Sequence, residues 1–348
     1  MRILSAAEAI TPAIERTKSM FRPFSLRSFV KLGLVALLAE MGAQFIFPPT
    51  GHFASHSNSR SGAVSWSINQ HAVVALAVVS VLFLLIGVCM LYFGSRMQFV
   101  LMDLVACRTT VVGPSWRRHG PKTWPWIGLK VATFLLAFLV IGAVAAWPLL
   151  HLIRSMPAKT GQPPSAIFFG NFLLLFAMVA GMVVVLMLCL WFLRDMVLPF
   201  LVFEDATMRQ GFTSAVDLIR REPGGVLLYF LMKFVLTLVA AIAAELCIVA
   251  TAFIVGIPVG LIGGGLWILL RHAGLFGAVF LYTSLGLLGL IFLVCLMLTI
   301  VCIVGAILVF YQAYALYFVG GRLAALGDLL EPPPPPFPEA VPQQFCPI

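Results

Sequence analysis

The chain has 348 residues, of which 61% are hydrophobic and 10% charged, with a mean hydropathy of +1.06 and a formal net charge of +9. Soluble domains carry about 25% charged residues, so a water-soluble fold is excluded. The stretches between apolar runs reach only about 25 to 30 residues, too short for an extramembrane catalytic domain. The positive charge therefore points to an anionic membrane leaflet and not to nucleic acid, for which no recognition fold fits between the runs.

In chain order, Met1 to Arg27 is polar and amphipathic and reads as a cytoplasmic segment, with Thr11 placed to cap a helix and Pro12 to occupy its first turn. The first apolar run is too long for the core of a signal peptide and lacks a small-residue cleavage site. An α-helical span needs about 20 apolar residues, and six segments qualify: Ser28 to Phe47, His71 to Phe93, Trp126 to Leu150, Ile167 to Leu193, Val226 to Ile254 and Leu275 to Phe310. The last two are overlong, which tilt or a stalk beyond the bilayer would absorb. Gly256 to Leu270 (GIPVGLIGGGLWILL), broken by five glycines and Pro258, reads as a re-entrant or interfacial connector. Eight spans are the alternative, if it crosses and the run behind it splits. The expected fold is all-α, a bundle of about six spans forming one membrane domain over residues 28–318, followed by a Pro-rich disordered tail over 319–348.

Lys and Arg set the orientation. The N-terminal segment, the second and fourth loops and the tail hold sixteen, whereas Arg60, Arg154, Lys159 and Arg271 are the four on the other side. Both ends are therefore expected in the cytoplasm, with the chain in the inner (plasma) membrane. Trp116, Trp124 and Trp126 are expected in the inner aromatic belt, and Trp66 and Trp147 in the outer one.

A weak internal repeat of about 100 residues also runs through the chain. Each unit reads as a cytoplasmic amphipathic helix, a Pro- or Gly-marked turn and a two-span hairpin. The helices lie in TPAIERTKSMFRPF, near MQFVLMDLVACRTTV and in ATMRQGFTSAVDLIRREPGG, and the span exits echo one another near Tyr92, Trp191 and Val309. In the tail, EPPPPPFPEAVPQQF from Glu331 favours extended polyproline II and is the place where an unidentified cytoplasmic partner would dock.

Ionisable residues inside spans cost about 2.5 to 3.5 kcal/mol at the bilayer centre and mark candidate sites. Glu40 in the first span and Glu245 in the fifth fall toward one depth, so they can face one cavity as a proton or cation pathway; the alternative is a pair of structural acids. Lys233 is expected to snorkel to the inner boundary. Arg194 and Asp195 are adjacent and on different helix faces, so each needs its own partner. Glu204 with Asp205 borders the amphipathic helix and is expected to cap it. His52, His56, His71, His151 and His272 map to the outer side without a carboxylate or cysteine to complete a zinc site, and the seven cysteines form no Cys-x-x-Cys pair. No phosphate loop, nucleophile elbow or His-Glu-x-x-His occurs, so no catalytic residue, cofactor or metal is expected.

The third unit carries a resemblance. VLPFLVFED at a span exit, with the acid Glu204, then the helix from Ser214 to Arg221 and another long span, resembles the six-span membrane domain found N-terminal to some bacterial glycerophosphodiester phosphodiesterases and related stand-alone membrane proteins. The resemblance implies architecture only, because that family's phosphodiesterase activity belongs to a soluble barrel for which this chain has no room. The expected function is structural, scaffolding or lipid-interacting. A transporter or channel using the intramembrane acids, or a membrane-embedded lipid enzyme, are the alternatives.

Overall fold

The computed structural model describes residues 2–22, 25–44, 70–154, 166–271 and 274–330. All regular structure among them is helical: α1 (Ile10–Met20), α2 (Leu26–Gln44), α3 (Gln70–Cys107), α4 (Val112–Arg118), α5 (Gly120–Arg154), α6 (Ala166–Phe192), a π-helical turn (Leu193–Val197), α7 (Leu198–Phe203), α8 (Met208–Arg221), α9 (Pro223–Leu270), α10 (Gly274–Gly320) and α11 (Ala324–Leu330). Five stretches are long and apolar enough to cross a membrane: Ala77–Cys107, Gly120–Arg154, Phe168–Phe203, Pro223–Leu270 and Phe276–Gly320.

Burial is concentrated at one end. Phe99 to Ala106 of α3, Leu193 to Val202, and Ala313 to Val319 of α10 are almost wholly buried, and Ala6, Ala9 and Ala13 of the N-terminal segment pack into them. The other halves of the long helices present large apolar side chains outward, among them Phe83, Leu139, Leu173, Leu261 and Phe276, the surface that hydrocarbon would cover. The three span exits that echo one another in sequence thus meet in a single core.

The two ends of the described chain lie together at this packed end. The Tyr314 hydroxyl donates to the Ala6 carbonyl at 3.1 Å, and Arg322 donates to the Leu4 carbonyl at 3.4 Å. The segment 319–330, expected in a disordered tail, instead folds: α11 buries Leu326 and Leu330, with Leu323 just before it. The Pro-rich stretch itself lies outside the described residues.

The expected connector at Gly256 to Leu270 is not a separate element. α9 runs unbroken through it for 48 residues, about 72 Å at helical rise, and α10 is likewise one helix, so the run behind it does not split. In an apolar surrounding a continuous helix is the cheapest way to satisfy backbone polar groups, and Pro258 removes only one N–H from it. Of the first expected span, Ser28 to Phe47, α2 is described to Gln44, and the described part is not among the five long apolar helices. Its Ala39 carbonyl accepts from Gln98 of α3. From Gln98, α3 continues about 42 Å to Gln70.

Local signals explain the short helices. α8 starts with a capping box: the Thr207 hydroxyl accepts from the Gln210 N–H, and the Gln210 side chain accepts from the Thr207 N–H at 3.0 Å. Glu204 and Asp205 therefore do not cap it. Glu204 follows the last turn of α7, and Asp205, in the left-handed region at φ 49°, binds Lys122 at 2.5 Å. That hydrogen bond and the adjacent ammonium charge hold the Asp205 carboxyl below the ordinary carboxylate value. α1 starts at Ile10 with no side-chain cap from Thr11, and Pro12 does sit in its first turn. Arg16 of α1 instead closes the C-terminus of α3, donating to the Val105 carbonyl at 3.1 Å and to that of Ala106.

His119, between α4 and α5, is buried against Phe99 with both ring nitrogens unpartnered. Burial lowers its pKa below the ordinary value near 6.5. The neutral ring is the form the fold accepts, so stability is held above about pH 6.5 and is lost as pH falls below it, by no more than about 1.4 kcal/mol per pH unit. Melting curves between pH 8 and 5 are expected to show this decline in the native protein and to lose that component in His119→Phe.

Candidate charged cavity

Five elements converge where the packed end gives way to the exposed halves. The π turn at Leu193–Val197 holds the adjacent charges Arg194 and Asp195 and aims them at different helices. Single π turns inside α-helices are frequent at functional sites. Arg194 pairs with Glu40 of α2, and Asp195 pairs with Lys233 of α9. Asp195 also accepts from the Tyr229 hydroxyl at 3.0 Å. Tyr229 is stacked between Tyr314 and Phe318 of α10, at centroid distances of 5.0 and 4.5 Å. The Lys233 ammonium lies 5.1 Å from the Trp191 ring centre, a cation–π distance.

A second polar group adjoins this one through α2. Lys130 of α5 donates to Gln98 at 2.6 Å and to Ser95 at 3.2 Å, and the Trp126 indole donates to the same Gln98 oxygen at 3.1 Å. The Gln98 amide in turn donates to the carbonyl of Ala39, next to Glu40. Each donor and acceptor here is fixed by a neighbour, which is how charges and amides are tolerated away from water.

Above these pairs, between α2, α6, α9 and α10, is a cavity of about 430 Å³, within the range of small-ligand sites. Leu37, Ala240, Ala244, Ile248 and Val304 make it mainly apolar, while Glu40, Arg194, Lys233 and Glu245 bring charge to it. Glu245 is exposed, has no hydrogen bond or ion pair among the described residues, and sits twelve residues beyond Lys233 on α9, about 18 Å along the axis.

Of the residues singled out from sequence, Glu40, Glu245, Arg194 and Lys233 thus line one cavity, with Asp195 directly behind Lys233. The expectation that Arg194 and Asp195 need separate partners holds. Lys233 does not snorkel, because Asp195, itself held by the Tyr229 hydroxyl, supplies the partner in the interior that water would otherwise supply. Glu40 is committed to Arg194, so Glu245 is the acid of this lining without a partner among the described residues. Glu204 is elsewhere, lining a separate depression with Asp217, Arg221 and Glu222. Trp126 is buried and hydrogen-bonded, not in a belt, whereas Trp124 and Trp147 are exposed. Lys130 satisfies the criterion that picked Glu40, an ionisable residue in an apolar run, and is the charged member missing from the sequence-derived set. His52, His56 and His272 lie outside the described residues, as do Arg60, Lys159 and Trp66. Among the described residues no three His, Cys, Asp or Glu side chains gather to hold a metal ion.

Five helices long and apolar enough to cross a membrane, joined to a layer of paired charges, fit the class of helical membrane proteins. Residues 4–329 match the model of a family of unknown function (DUF7544), and the chain belongs to that family. No curated protein and no solved structure matches it.

Proposed function

We propose that the chain crosses the inner (plasma) membrane six times, with both ends cytoplasmic, and acts without catalysis by holding an amphiphile from the bilayer in the cavity between α2, α6, α9 and α10. Six crossings are supported by parity. The N-terminal segment and the end of α10 touch each other, so five long helices need one further crossing, which α2 contributes. The sixteen-to-four distribution of Lys and Arg supports the orientation, and α8, with Phe212 exposed and Arg209, Arg220 and Arg221 beside it, suits an anionic leaflet. The echoing span exits that share one core support three helix-plus-hairpin units. The resemblance to the six-span domain of the phosphodiesterase proteins supports the same layout and lends no activity.

The observation that carries the reading is the cavity itself: apolar walls, charged groups held in place beneath them, and two exposed residues, Ala241 and Glu245, on its lining. Native mass spectrometry of protein released from phospholipid nanodiscs should show a retained lipid that Ala241→Trp, which fills the space, no longer retains. Equal lipid retention by both forms, or turnover of a lipid or phosphodiester by the purified chain, overturns the reading. The topology is tested separately. Cysteines placed at Arg60, Lys159 and Arg271 should react with an impermeant thiol reagent from outside the cell, and labelling only after lysis would reverse the orientation.

A second reading, transport of a small solute or ion, is favoured by one observation, the unpaired Glu245 in the same cavity as Glu40. Proteoliposomes should then carry a proton or cation current that Glu245→Gln abolishes; an unchanged current, or none, removes this reading.

A further inference from the structure

We infer that the ligand class of the cavity is a lipophilic organic cation, an ammonium or onium group on an apolar body, with the Glu245 carboxylate as its counter-ion. This rests on the cavity being a binding site and adds the charge of what it binds. The charged groups that line it come from three elements. α2 contributes Glu40, the π turn Arg194, and α9 both Lys233 and Glu245. Glu40 and Arg194 neutralise each other, and Lys233 is neutralised by Asp195 behind it. Lys130 of α5 lies outside the lining and is hydrogen-bonded to Gln98 and Ser95. α10 supplies apolar residues and Tyr311, whose hydroxyl is taken by the Leu236 carbonyl at 3.0 Å.

What remains, among the described residues, is one uncompensated negative charge in a mainly apolar lining, an arrangement that is costly until a cation joins it. An anion would meet Glu245 and find both bases already bound to carboxylates. The aromatic lining agrees with this sign. Trp191 and Tyr311 are part of the lining, and the Trp191 ring already has the Lys233 ammonium 5.1 Å from its centre. Ala240, Ala241 and Ala244 on one face of α9 leave room beside Glu245 for an apolar body.

The test uses two ions of the same shape and opposite charge, tetraphenylphosphonium and tetraphenylborate, with the full chain in phosphatidylcholine nanodiscs. Binding is read by equilibrium dialysis against empty nanodiscs. The native protein should bind the phosphonium and not the borate. Glu245→Gln should weaken phosphonium binding about tenfold or more, and Glu245→Asp, which keeps the charge, should stay within about threefold. Ala241→Trp should abolish it. No phosphonium binding, preferential borate binding, or equal affinity in Glu245→Gln overturns the inference. If Glu245→Gln has no effect while Ala241→Trp abolishes binding, the charge assignment fails and the cavity stands. If Ala241→Trp also has no effect, the cavity reading fails with it. A single symmetric gel-filtration peak for each variant separates lost binding from lost folding.

Discussion

Asp195→Leu is expected to be the most damaging single substitution in this protein, and Lys233→Leu is expected to rescue it. Lys233 is almost completely buried, with Asp195 and the Trp191 ring as its surroundings. Removing the carboxylate leaves an ammonium in low dielectric with no counter-ion, and breaking a buried pair from one side costs about 3 to 5 kcal/mol. The Tyr229 hydroxyl loses its acceptor in the same step, and an unsatisfied buried donor adds about 1 to 3 kcal/mol. Replacing both charges removes the desolvation cost together with the attraction, which is often neutral or stabilising. Asp195→Leu should therefore yield little folded protein, Asp195→Leu with Lys233→Leu should recover most of it, and the thermal midpoint in detergent reads the difference. A double variant no better than the single one would mean that the pair is not the term that matters. Keeping Tyr229 in the double variant isolates the cost of its hydroxyl, and Tyr229→Phe added to it should return that remainder.

The second large effect is steric and involves no charge. α2 and α10 approach closely where Gly33 faces Gly305. A Cβ on Gly33 would lie 2.5 Å from the Val301 carbonyl oxygen, and a Cβ on Gly305 would fall on the Gly33 backbone. Helix association in membranes depends on such close contact between small residues. Overpacking a core costs about 1 to 3 kcal/mol when side chains can yield; here the obstacle is backbone, so Gly305→Leu should reach or exceed the upper figure. Gly142, with nothing within 4 Å of its would-be Cβ, provides the internal control. Gly305→Leu is expected to lower the melting temperature by roughly 5 to 10 °C and Gly142→Leu to leave it unchanged. Equal shifts in the two variants would show that the loss comes from adding a bulky side chain in general and not from this contact.

The features legible in the sequence were those set by one residue's own cost. Long apolar runs betray spans because an unpaired backbone is intolerable in hydrocarbon, and Glu40, Arg194, Asp195, Lys233 and Glu245 stand out because charge in such runs is expensive. Their pairing was not legible, since it depends on which helices adjoin and on a π turn that no residue pattern announces. Lys233 shows the difference: snorkelling was the reasonable expectation for a lysine near a boundary, and it failed because Asp195, on another helix, supplies the partner. Trp126 failed as a belt residue for the same reason, with Gln98 taking its N–H. The glycines of Gly256 to Leu270 misled because a glycine breaks helices most readily where water competes for the backbone; α9 runs straight through all five.

The contact between the two ends of the chain also constrains the order of assembly. Tyr314 binds Ala6 across 308 residues, and Gly33 needs Gly305 for its seat. At about 5 to 20 residues per second of synthesis, the first helices wait roughly 15 to 60 s for the last one to leave the ribosome. During that time α1 and α2 can meet α3 but not α10, their other partner at the packed end. The faces of α1 and α2 that α10 covers in the finished fold therefore stay uncovered until the last helix arrives to close the structure.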